Sequence, residues 1–305
     1  KSKVEIGSIE LYFFKNTHIV NVYIEDQQGD TMIYLRTLDC SIDEINTNTR
    51  MVWLNNVETS NAKIRIGKHK GEKDNNIDFL VAYFSPPKKI KRTTPKKVWS
   101  IYFGTTQLDD SYFEFFNEDK PAPESGLLDQ NNLQFSRINA TLENFWLVDD
   151  SLNFHCRNLS ALERSGLFIN SMKSDCIISN HGMDFTNMKI ETGCSKIGDE
   201  LHFRYPGYKN MGNFISDTQW KGQLKNSSIC LRELSVFSND LKNNTETIDI
   251  ENASISGTFD NLHIGRLNAK LGDKTVIDGN FNMQSLPAWR TTNIEFDINN
   301  LTSNK

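Results

Sequence analysis

The sequence predicts an all-β protein built on a long antiparallel sheet with one apolar and one polar face, accompanied by a few short helices. Three observations predict it. From Thr247 to Leu301 the apolar residues alternate through four successive segments, Ile248 and Ile250, then Leu262, Ile264 and Leu267, then Ile277, Phe281 and Met283, then Ile294, Phe296 and Ile298. Side chains alternate across a strand, so each segment lines one side of an extended chain. Between the segments stand Asn252, Gly257, Asp260-Asn261, Gly272-Asp273 and Leu286-Pro287, residues that accept turns or cannot continue a ladder. Finally, the 305-residue chain is only 37% hydrophobic, with a mean hydropathy of -0.52. A globular chain carries roughly 45–50% apolar residues with glycine counted, so the deficit suits strands that bury one side.

The elements follow in order. Val4–Phe14 carries apolar residues on both faces; Val20, Val22 and Ile24 then alternate up to the Gln28-Gly29-Asp30 turn. Met32, Tyr34, Leu38, Cys40 and Ile42 share a face on which Arg36 is the exception, and Val52, Leu54, Ala62, Ile64 and Ile66 continue the pattern. After Asn75-Asn76, which can cap a helix, Ile77, Leu80, Val81 and Phe84 recur at helical spacing until Pro86-Pro87 stops them. Strands resume with Ile101 and Phe103, Phe113 and Phe115, pause at the Pro121–Gly126 loop, and continue through Leu133 and Phe135, Phe145 and Leu147, and Leu152 and Phe154. Met183 and Phe185, Met188 and Ile190, then Leu201, Phe203 and Tyr205 keep the alternation. Short helices are expected at Asn210–Asp217 and Leu231–Leu241.

These elements divide the chain into a first β segment, residues 1–85, ending in the short helix; a basic, proline-rich linker, residues 86–97; and a continued β segment, residues 98–305. The linker reads as a solvated loop. With 34 basic and 39 acidic residues the net charge is -5, which gives no field for nucleic acid. No apolar run reaches the eighteen residues of a membrane-spanning helix. The chain opens Lys-Ser-Lys without an initiator Met, signal peptide or anchor, so it is read as a piece of something longer.

Chemistry is absent from the pattern. The six histidines are scattered singly, there is no glycine-rich phosphate loop and no GxSxG elbow, and Asp109-Asp110 and Asp149-Asp150 read as turn residues. No catalytic residue, cofactor or metal ligand is expected. The five cysteines, Cys40, Cys156, Cys176, Cys194 and Cys230, have no metal spacing. Cys176 and Cys194 flank a hairpin and could meet, although burial as small hydrophobes is the favoured reading.

A sheet this long must cover its apolar face by packing on another sheet, by winding into a solenoid, or by curling into a trough covered by something other than protein. Physics alone favours the sandwich. Particular stretches shift the balance: Val4-Glu-Ile-Gly-Ser-Ile-Glu-Leu-Tyr-Phe-Phe-Lys-Asn16, Val22–Thr31, Ser165–Ile169, Trp220–Ile229, Leu231–Phe237, Gly257–Ile264, Gly279–Pro287 and Asp297–Thr302. In that order they resemble the AsmA-like opening of the TamB family, in its Bacteroidota form, over nearly the whole chain.

The resemblance implies an open β-trough that carries phospholipids across the periplasm, anchored in the inner membrane through a segment outside this chain. It also implies an Omp85-type outer-membrane barrel, TamA or TamL, as partner. The residues expected against lipid are Val22, Ile24, Met32, Tyr34, Ile64, Ile66, Ile101, Phe103, Phe113, Phe135, Met183, Phe185, Met188, Ile190, Phe203, Ile250, Ile264, Phe281, Met283 and Phe296. Two other readings stand beside it: an assembly or secretion factor for outer-membrane β-barrel proteins, and a surface or adhesive β-solenoid binding glycans on its polar face.

Overall fold

A computed structural model describes residues 2–12, 16–84, 99–121, 124–148, 150–208, 213–272, 275–286 and 288–303. Eighteen strands form a large, mixed, mostly antiparallel sheet with a few short helices. The chain divides into two compact units, one of residues 1–122, 131–161 and 177–179, the other of residues 123–130, 162–176 and 180–305.

The first unit holds β1 (Val4–Tyr12), β2 (Asn16–Glu25), β3 (Thr31–Asn46), β4 (Met51–Ser60), β5 (Lys63–Lys68), α1 (Asp78–Phe84), β6 (Ser100–Tyr102), β7 (Thr106–Asn117) and β8 (Leu133–Val148). β9 (Ser151–Glu163) and β10 (Phe168–Ser179) contain residues of both units. In the second unit are β11 (Gly182–Thr192), β12 (Lys196–Ile197), β13 (Asp199–Arg204), α2 (Phe214–Asp217), β14 (Gln219–Cys230), β15 (Thr247–Thr258), β16 (Asn261–Leu271), β17 (Thr275–Gln284) and β18 (Asn293–Ser303). The expected helix over Leu231–Leu241 is two short 3-10 turns, Leu231–Val236 and Asn239–Leu241. The expected helix near Asn210 is the single turn α2, its first residues lying outside those described.

The sheet is not antiparallel throughout. β4 runs parallel to β6 and β7, and β5 parallel to β7. Parallel neighbours need a long crossover, and the connection from β5 to β6 passes through α1 and the basic linker, which lies outside the described residues. Asp78 begins α1, where a negative charge favours the helix N-terminus, and its carboxylate accepts from the Asn75 backbone N–H at 3.1 Å. Asn76 does not cap the helix. Its amide oxygen accepts from the Gly67 N–H at 3.0 Å and its NH₂ donates to Asp26 and to the Arg65 carbonyl.

Cys194 pairs with Cys230 in a disulfide, and Cys176 is buried elsewhere. The hairpin contact between Cys176 and Cys194 is therefore not made. Asp109-Asp110 is not a turn either: Asp110 takes φ 39° within β7. No helix among the described residues is long and apolar enough to cross a membrane.

Candidate functional site

Residues directly opposite one another in a ladder share a face of the sheet, so the registers define the faces strand by strand. In the first unit Val4, Ile24, Ile33, Ile64, Phe113 and Phe135 stand opposite one another through β1, β2, β3, β5, β7 and β8. A second row runs Ile9, Ile19, Leu38, Thr59, Leu108 and Ala140. In the second unit Phe185, Leu201, Gly222, Ile255, Ile264, Phe281 and Phe296 form one row through seven strands. Met183, Phe203, Trp220, Gly257, Leu262, Met283 and Ile294 form the next. Seven strands spaced about 4.8 Å apart give an apolar strip roughly 29 Å wide.

The opposite face is polar. In the second unit Asp184, His202, Lys221, Ser256, His263, Asn282 and Glu295 make the corresponding row. Asp184 accepts from His202 Nδ1 and from Arg204, each at 2.6 Å. Burial raises its pKa, but these two partners outweigh burial and hold the carboxyl below its ordinary value. In the first unit Trp53, Tyr102 and Trp146 pack together across β4, β6 and β8, with ring centroids 4.5 Å apart for Trp53–Tyr102, edge to face, and for Tyr102–Trp146, tilted.

A backbone device keeps the faces in phase. Asn21, Asn56, Asn61, Asp110, Arg137, Asn144, Asn187, Asn226 and Arg266 adopt left-handed φ between 39° and 56° within strands or at a strand junction. In each case the apolar-face residues sit two before and one after it: Ile19 and Val22, Leu54 and Val57, Thr59 and Ala62, Leu108 and Ser111, Phe135 and Ile138, Leu142 and Phe145, Phe185 and Met188, Leu224 and Ser227, Ile264 and Leu267. A left-handed residue slips the alternation by one place, as a β-bulge does, and Asn and Asp tolerate that conformation better than other non-glycine residues.

Of the expected site residues, Tyr34 is off the apolar face of its own unit: it stands opposite Tyr23, its hydroxyl donating to Asn21 at 2.9 Å. Met32, fully buried, is the unpaired residue at the irregularity between β2 and β3. The reason is the slip: Ile33 and Leu35 are the apolar-face residues before Arg36, and Leu38 and Cys40 after it. Arg36 marks the phase change and is no exception within one face. Phe103 stacks on Phe145 at 4.9 Å and Ile101 stands opposite Leu147, which joins them to the first unit's strip.

The strip is covered unevenly. In the second unit Phe214 of α2 packs on Phe203 and Trp220 at 5.4 and 5.8 Å, and Phe259 lies 5.2 Å from Trp220 and 5.7 Å from Phe237. Toward β18 the cover is gone, and Phe296 is 63% exposed. β1 is exposed along its whole length, with Val4, Ile6, Ile9 and Leu11 all uncovered. Two shallow hollows, of about 610 and 490 Å³, are lined mainly by polar residues such as Lys3, Glu5 and Glu25, or Asn226, Asp249 and Lys270.

Two polar clusters escaped the sequence reading because no spacing announces them. Asp26, 1% exposed, accepts from the Gln28 and Asp30 N–H groups at 2.9 Å, from His69 Nε2 at 2.7 Å and from Asn76. Burial lowers the pKa of His69, but the carboxylates of Asp26 and Glu118 outweigh it and raise the imidazole above its ordinary value. Asp26, Asp30 and His69 could each turn one ligand atom to a cation. As they stand, Asp26 is committed to hydrogen bonds. In the second unit Glu233 accepts from the hydroxyls of Thr192 and Ser195 and from the N–H groups of Cys194 and Ser195, beside the Cys194–Cys230 disulfide. Burial raises its pKa and these donors more than offset it, so the carboxyl titrates below its usual range.

The fold thus defines a class, a large mixed β-sheet with segregated faces. No family model, curated protein or solved structure matches the chain.

Proposed function

We propose that the apolar strip binds acyl chains and that the protein carries phospholipids along it through the periplasm. In this reading it bridges inner and outer membrane, with an Omp85-type barrel such as TamA or TamL at the far end. The observation that supports this is the pair of apolar rows spanning seven strands in the second unit, with Ile294 and Phe296 of the last strand exposed. A strip roughly 29 Å wide matches the hydrocarbon depth of a bilayer, about 30 Å. Carrying a phospholipid through water exposes about 30 methylenes at about 0.8 kcal/mol each, an upper limit near 25 kcal/mol. An apolar wall removes most of that barrier, and the polar face and rim leave head groups in water. The Cys194–Cys230 disulfide agrees with an oxidising compartment such as the periplasm.

Photo-crosslinking residues at Phe185 and Met283, compared with their neighbours Asp184 and Asn282, test this. Lipid adducts at the first pair alone are expected. Adducts at all four positions, or at none, refute a one-faced carrier.

The exposed length of β1 favours a second reading, in which an unfolded β-barrel client adds a strand to that edge. Peptides crosslinked to β1, with no lipid on the strip, would favour it.

A further inference from the structure

Among the described residues, four buried side-chain donors on the apolar faces have no hydrogen-bond partner: Thr17 Oγ1 and Thr106 Oγ1 in the first unit, Thr218 Oγ1 and Trp220 Nε1 in the second. Buried donors are almost always paired, because leaving one unmade forfeits its hydration. The second pair is the more sharply placed. Thr218 has no exposed surface and an extended backbone, so its side chain and that of Trp220, two residues on, project to the same side. Trp220 packs among the rings of Phe203, Phe214 and Phe259.

An indole N–H can only donate, and a threonine hydroxyl donates readily. The complement to this pair is therefore an acceptor oxygen on an otherwise apolar molecule. Resting on the acyl-chain reading above, we propose that Thr218 and Trp220 form a subsite that takes the carbonyl oxygen of an acyl ligand. The chain then lies along the row from Met183 to Ile294. Entry requires Phe214 to move aside. Its element, α2, is a single turn with no side-chain cap and no buried residue of its own, tied at Ile215, whose N–H donates to Gln130 at 2.9 Å and whose carbonyl accepts from Phe259 at 3.1 Å, so the Phe214 side chain can turn without unfolding the turn. Thr17 and Thr106 repeat the motif of a lone hydroxyl in the apolar face of the first unit.

An ester carbonyl of a phospholipid and the carboxylate of a free fatty acid share this chemistry. The test measures equilibrium binding of radiolabelled methyl palmitate, palmitate and hexadecane, delivered from cyclodextrin, to the full chain and to Thr218→Val and Trp220→Phe. One hydrogen bond of ordinary strength predicts methyl palmitate binding about tenfold more tightly than hexadecane. Either substitution should bring that ratio toward one, whatever it does to the affinity for hexadecane. The indole N–H resonance that disappears in Trp220→Phe should shift downfield with methyl palmitate and stay in place with hexadecane. Tighter palmitate than methyl palmitate assigns the site to free acids, and the reverse order to esters; both support it. Equal binding of methyl palmitate and hexadecane, or equal losses of both in the variants, overturns the subsite and leaves the strip standing. Binding of none of the probes overturns both.

Discussion

Replacing Asn226 by valine isolates the backbone device that holds the strip together. Asn226 sits in β14 at φ 46°, exposed, between Leu224 and Ser227, which are 6% and 3% exposed. Its side chain is exposed, so a change there acts mainly through the backbone. A left-handed conformation costs an ordinary L-residue about 1–2 kcal/mol, and a β-branched one at least that. Asn226→Val should therefore destabilise by about 1–2 kcal/mol, whereas Asn226→Gly should stay within about 0.5 kcal/mol, its free φ offset by greater unfolded-state entropy. The control is Asn268→Val in β16, also exposed but at ordinary φ. Valine favours strands, so that variant should be neutral or slightly stabilised. Urea unfolding at constant slope reads the difference as a shift in midpoint. Equal midpoints for Asn226→Val and Asn268→Val would refute the claim that a left-handed residue sets the phase of β14.

Phe296→Ser, at a side chain already 63% exposed, should cost under about 1 kcal/mol yet reduce lipid crosslinking at Met283; unchanged adduct yield would remove β18 from the strip. Replacing both Cys194 and Cys230 by alanine opens a cross-link of sequence separation 36 and should cost about 4 kcal/mol by chain entropy, read by urea unfolding against the oxidised protein. His69 titrates above its unfolded value, so its pairing stabilises fully below about pH 6.5 and is lost as pH rises through the folded pKa. Asp26, held low, keeps its contribution until pH falls below the ordinary carboxylate range; urea midpoints should decline above neutrality in the wild type and stay flat there in His69→Gln. Gly279→Ala should speed amide exchange along Asn293–Ser303, because the added Cβ would stand 2.4 Å from the Asp297 carbonyl oxygen, a backbone atom.

Much of this architecture is written in local alternation. The four segments after Thr247 are strands β15 to β18 with their apolar sides as read, the Gln28-Gly29-Asp30 turn joins β2 to β3, and Ile77–Phe84 closely matches α1. What local pattern does not carry is pairing between distant strands. The parallel contact of β5 with β7 and the bond from Cys194 to Cys230 depend on partners that no spacing names. The phase slips were visible in principle. Ile264 and Leu267, or Phe185 and Met188, stand three apart in otherwise two-residue alternation, with Arg266 or Asn187 in the left-handed place. Reading β3 as one unbroken phase put Tyr34 on the wrong side, because the change of phase falls at Arg36.

A row stays apolar across seven strands if neighbouring strands slip at the same level or the mismatch is absorbed in their pairing. β14 and β15 do so together: Leu224 stands opposite Ala253 and Ser227 opposite Ile250, three residues apart on each strand, so the register holds. β17 does not slip. Ile277, Gly279, Phe281 and Met283 alternate without interruption, and the mismatch is taken up on both sides, by β16 between Ile264 and Leu267 and by β18 between Ile298 and Leu301. Gly279 lies at that level, opposite Leu267 and Ile298, and a side chain there would strike the β18 backbone. β17, which carries no left-handed residue, thus has a glycine where its neighbours bulge toward it. The continuity of the strip is a property of backbone conformation before it is one of side-chain choice. Substitutions among Leu, Ile, Phe and Met on its surface should therefore be tolerated far better than substitutions at the exposed asparagines and the buried glycine that never touch a ligand.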